Sequence, residues 1–67
     1  MITAQVSYVT ALGGLNVIEF PELPSIGHQL DSELMQHLFG VEVPAIVTRI
    51  IWQYNKDDKV YPLIVVK

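Results

Sequence analysis

From Val41 to Val66 the chain reads as one long β-hairpin that is apolar on both faces, and nothing else in the sequence restricts the fold as much. The segment from Val41 to Tyr54 (VEVPAIVTRIIWQY) is rich in β-branched and aromatic residues, which fit a pleated, half-buried surface. Pro44 cannot donate a ladder hydrogen bond, so it marks an edge, a bulge or the true start of the strand near Ala45. A polar turn from Asn55 to Lys59 leads into the returning strand from Val60 to Val66 (VYPLIVV). Strict alternation places Ile46, Ile50, Trp52 and Tyr54 on one side of the first strand, and Val47, Arg49, Ile51 and Gln53 on the other. In the second, Val60, Pro62, Ile64 and Val66 oppose Tyr61, Leu63 and Val65. Such two-sided apolar patterning belongs to strands covered on both faces. One face can close an internal core. The other calls for curvature into a small barrel, or for a second protein surface.

The remaining elements supply partners for that hairpin. Ile2 to Thr10 alternates, with Ile2, Ala4, Val6 and Tyr8 opposed to Thr3, Gln5 and Ser7. Leu15 to Phe20 is the expected return strand. A three-residue loop, Leu12 to Gly14, would pair Tyr8 with Ile18 and Val6 with Phe20 and so unite the apolar side chains on one face. Pro21 and Pro24 then hold Phe20 and Leu23 extended through a corner. A short helix is predicted over Ser32 to Phe39, with Asp31 as N-cap and Gly40 just past its end. Leu34, Met35, Leu38 and Phe39 form its apolar stripe. Two turns do not persist alone in water, so the helix must dock on the sheet.

The order strand, strand, helix, strand, strand predicts one domain over residues 1–67. Its class is α+β, mostly β: a strongly curved antiparallel β-β-α-β-β sheet, with a fifth strand if the proline-rich segment pairs. This rhythm is compatible with a small SH3-like barrel and is too generic to identify a family.

Composition removes several function classes. The chain has no cysteine, which excludes disulfides, thiolate nucleophiles and cysteine-based zinc sites. Its net charge of −3 argues against a phosphate-binding surface. No apolar run approaches the ~18–20 residues of a membrane span, no basic start precedes a hydrophobic stretch, and cytoplasmic residence is the default expectation. Charge is segregated, with −5 over residues 1–42 and +2 over residues 43–67, a polarity able to orient one protein against another.

The chemistry-bearing residues form weak patterns. His28, Asp31, Glu33 and His37 include one pair at helical spacing, Glu33 and His37, but lack a specific metal-binding arrangement. Ser25, His28 and Asp31 have the residue types of a nucleophile triad without an elbow around the serine; turn and capping roles suit them better. Gly13-Gly14 lacks the features of a phosphate loop. No catalytic, metal or cofactor site is expected, and the protein is not expected to be an enzyme.

The expected function is protein–protein interaction by a small accessory protein that self-associates through its C-terminal hairpin. Arg49, Ile51, Trp52, Tyr54, Tyr61, Leu63 and Val65 are the interface candidates, because aromatic and arginine side chains anchor interfaces. The energetics of a chain this small point the same way. Burial gives roughly 100 kcal/mol and ordering the chain costs about 100 kcal/mol, so contact with a second copy adds usefully to stability. Two alternatives remain. One is a β-barrel nucleic-acid-binding or regulatory module using Arg49, Lys56, Lys59 and the nearby aromatics. The other is a small-molecule binder at a subunit interface.

Overall fold

A computed structural model describes residues 1–9, 15–54 and 56–67. Five strands and one helix follow one another as β1 (Ile2–Tyr8), β2 (Leu15–Phe20), β3 (Gln29–Leu30), α1 (Ser32–Phe39), β4 (Ala45–Tyr54) and β5 (Val60–Val66). The strands form a single sheet in the order β2-β1-β5-β4-β3, curled into a half-barrel. The α+β, mostly β and strongly curved class is therefore correct, as are the bounds of α1, the start of β4 at Ala45 and the extent of β5.

Three features differ from the expectation. The sheet is mixed, because β1 lies parallel to β5, with Gln5 beside Leu63 and Tyr8 beside Val66. A short β3 completes five strands just beyond the proline-rich corner: Gln29 pairs with Ile46 and Leu30 with Ala45. The sheet ends at β2 and β3 instead of joining them, so it stops short of a closed SH3-like barrel.

The first hairpin keeps the predicted faces but shifts its register by four residues. Ala4 pairs with Ile18 and Ile2 with Phe20, in place of Val6 with Phe20 and Tyr8 with Ile18. The central position of β1 accompanies this register, with β2 on one edge and β5 on the other. The second half of β1 pairs with β5, and the Val9 N–H continues that ladder to the Val66 carbonyl at 3.1 Å. Because the shift is an even number, the same side chains stay inward. Strand β1 ends at Tyr8; Thr10 and the proposed Leu12–Gly14 loop lie outside the described residues.

A bulge in β4 corrects the face assignment there. Val47 faces Val66 and Arg49 faces Val65, which leaves Thr48 as the extra residue. Its hydroxyl donates to the Val65 carbonyl at 3.2 Å. The insertion inverts the alternation upstream. Ala45 and Val47 point inward with Ile50, and Ile46 faces solvent at 50% exposure instead of sharing the Ile50 face.

Val6, Met35, Val47, Ile64 and Val66 are fully buried and form the centre of the core. Met35 and Leu38 bring α1 onto this face, and the Tyr8 and Phe39 rings meet in a tilted contact with centroids 5.5 Å apart. Both helix ends are closed locally. Asp31 Oδ1 accepts from the Leu34 N–H at 2.8 Å, and Gly40, at φ 75°, donates to the Gln36 carbonyl at 2.9 Å. Asn16 on β2 donates its side-chain N–H to the Leu38 carbonyl, tying the helix end to the sheet. At the corner, the His28 N–H donates to the Ser25 carbonyl across Gly27, whose φ of 96° suits only glycine in such a turn. Gly27 and His28 then bond Val47 from either side, each at 2.8 Å.

Candidate protein interface

The β4–β5 ladder sorts the hairpin into two faces. Directly opposed residues in an antiparallel pair share a face. Ile50–Ile64, Trp52–Pro62 and Tyr54–Val60 lie on the helix side, whereas Arg49–Val65, Ile51–Leu63 and Gln53–Tyr61 lie on the outer side. Five of the seven interface candidates (Arg49, Ile51, Tyr61, Leu63 and Val65) are thus brought together, and Trp52 and Tyr54 are separated from them.

The parallel β1–β5 contact widens the outer face. It sets Gln5 beside Leu63 and Ser7 beside Val65, and β2 places Val17 next to Gln5 and Glu19 next to Thr3. An apolar band of Ile51, Leu63, Val65 and Tyr61 is therefore bordered by uncharged polar side chains, with Arg49 at one end and Glu19 at the other. Ile51, Leu63, Val65 and Tyr61 are half-buried by their neighbours within the sheet, and Val17 is 61% exposed. At the start of β5, an open groove is bordered by residues of both faces: Thr3, Gln5, Val17 and Tyr61 of the outer one, Ala4 and Val60 of the inner one, and Lys59 of the turn. The polar alternation of β1 was readable from sequence, but its position beside β5 needed the parallel pairing.

Few charges and a central apolar band are what a protein interface core requires, because charged groups lose water there without a partner. The face spans four strands about 4.8 Å apart and about seven residues of ~3.3 Å each, or roughly 440 Å².

Trp52 and Tyr54 form a separate exposed ledge on the helix side, at 59% and 70% exposure. The Tyr54 hydroxyl donates to Asp58 Oδ1 in the following turn. That hydrogen bond, with a smaller contribution from desolvation, raises the Tyr54 pKa above its ordinary 10.0. Tyr54 therefore closes the turn from the side opposite the apolar band. Arg49 and this aromatic ledge occupy opposite faces, so they do not make the continuous stacking platform that single-stranded nucleic acid uses.

The polar cluster near α1 is occupied by local bonds. His28 Nδ1 accepts from the Ser25 N–H at 3.2 Å, and Asp31 caps the helix. Glu33 and His37 are exposed. Among the described residues, no three His, Asp or Glu side chains converge as metal ligands. No described helix is long and apolar enough to cross a membrane.

No family model, curated protein or solved structure matches the chain. The geometry of the outer face is thus the basis for a functional reading.

Proposed function

We propose that this chain is a non-enzymatic interaction protein that associates through the outer face of its C-terminal hairpin, with its own copy as first partner. The observation that carries the reading is the Ile51–Leu63–Val65–Tyr61 band, which lies on the side of the sheet opposite the helix. A cytoplasmic setting belongs to the same proposal and is checked by fractionating the source cells.

Sedimentation over a dilution series tests the association. The wild-type chain is expected to gain mass with concentration, while Ile51→Glu and Leu63→Glu hold the single-chain mass with unchanged circular dichroism. A wild-type chain that keeps its single-chain mass at high micromolar concentration overturns self-association. Charged variants that assemble like wild type move the contact away from this face.

A further inference from the structure

A proline stands inside the sheet. Strand β5 lies between β1 and β4, and Pro62 is buried there, at a kind of position from which the missing N–H normally excludes proline. The consequence falls on the β1 side. The Val9 N–H bonds the Val66 carbonyl, and donors along a parallel ladder recur at every second residue. Residues 5, 7 and 9 of β1 therefore aim their main chain at residues 62, 64 and 66 of β5, and the pairing stops at Gln5 beside Leu63. The next rung would run from the nitrogen of Pro62 to the Thr3 carbonyl. Proline has no hydrogen to give, so that carbonyl takes no ladder bond from β5.

The groove at the start of β5 lies at this break. It holds about 470 Å³, within the range of small-molecule sites. Lys59 is the one charged residue of its lining, and Glu19, across the ladder from Thr3, takes no part in it. An ammonium carries three donors, so Lys59 can hold an anion beside any other partner. The Thr3 and Tyr61 hydroxyls and the Gln5 amide add neutral hydrogen-bonding groups. Val17 and Val60, each 61% exposed, add apolar contact.

We propose that this groove binds a small carboxylate that carries an N–H beside its acid group and an apolar side chain. N-acylated amino acids have this chemistry, free or as the last residue of a peptide. The carboxylate meets Lys59 in a charge-assisted hydrogen bond. The ligand N–H gives the Thr3 carbonyl the donor that Pro62 lacks, and the apolar side chain covers Val17. The site is formed by one chain and stands apart from the self-association proposed above. An open groove leaves much of the ligand in water, so binding in the millimolar range is expected.

Amide shifts followed by NMR on the intact chain at about 50 μM, with N-acetyl-leucine added to about 20 mM, test the proposal. Shifts are expected at residues 3–5, 17 and 59–61; their absence overturns the site. N-acetyl-leucinamide lacks the charge and N-acetyl-N-methyl-leucine lacks the donor, and each is expected to bind about fivefold more weakly. Equal affinity for all three probes overturns the roles of Lys59 and Thr3. Lys59→Gln is expected to weaken N-acetyl-leucine by the same factor and to leave the amide unchanged, whereas Lys56→Gln, outside the lining, binds like wild type. Pro62→Val restores the rung. It is expected to weaken N-acetyl-leucine but not the N-methyl probe, and equal effects on both overturn the bond to Thr3. N-acetyl-Ala-Ala-Leu binding more tightly than N-acetyl-leucine assigns the site to a peptide C-terminus, and equal affinity assigns it to the free acid.

Discussion

Ile51 and Leu63 face each other across the β4–β5 ladder on the side of the sheet turned away from the helix, while the next pair along, Ile50 and Ile64, faces the core. One hairpin thus serves two purposes in adjacent rows. Its inner row seals the fold; its outer row remains available.

The two rows should respond differently to substitution. Ile64→Ala removes a fully buried side chain and is expected to cost about 2–5 kcal/mol. Leu63→Ala, at a half-buried site, should cost well under half of that and act mainly on association. Urea unfolding at low protein concentration measures both, and equal losses would contradict the division of faces.

Trp52 reports on the helix side. As an exposed indole on the face opposite Leu63, it should be readily quenched by acrylamide at every protein concentration. Trp52→Ala is expected to leave the self-association constant within about twofold, a change of under ~0.5 kcal/mol. Concentration-dependent protection of Trp52 would place the contact on the other face.

Thr48 sets the phase of β4. Deleting it restores strict alternation and turns Ala45 and Val47 out of the core, so the deletion variant should lose its cooperative unfolding transition. Thr48→Val keeps the residue count and loses only the bond to the Val65 carbonyl, with an expected cost of about 1 kcal/mol. A deletion variant as stable as wild type would refute the bulge.

Helix caps give a third scale. Asp31→Ala removes the acceptor for the Leu34 N–H and is expected to cost about 0.5–2 kcal/mol. Gly40→Ala imposes a side chain at φ 75°, with a penalty of about 1 kcal/mol. Thermal melts of both variants check the values.

The Tyr54–Asp58 bond predicts a pH effect of definite sign. The phenol donates only when protonated, so its pKa in the folded chain lies above the ordinary 10.0. The bond is complete below the unfolded-state pKa and is lost as pH rises through the folded one. Titration followed at the Tyr54 ring by NMR should show its ionisation above 10.0, and Asp58→Asn should shift that ionisation toward 10.0. Unchanged titration would dissociate the shift from Asp58.

By itself, the sequence determined four of the five strands, the helix and most of the inward side chains, while β3 came only with its partner β4. Period-two alternation, the Asp31 and Gly40 caps and the proline stops are local signals, and they act within a few residues of the positions they govern. The tertiary structure alone decided three things: the parallel contact of β1 with β5, the four-residue register shift of the first hairpin, and the inversion at Thr48. Each is a matter of which strands lie side by side and in what register, and local patterning carries no record of a neighbour distant in the chain. The separation of Trp52 and Tyr54 from Arg49 and Ile51 was already in the alternation of β4; the structure decided which of the two faces meets the helix.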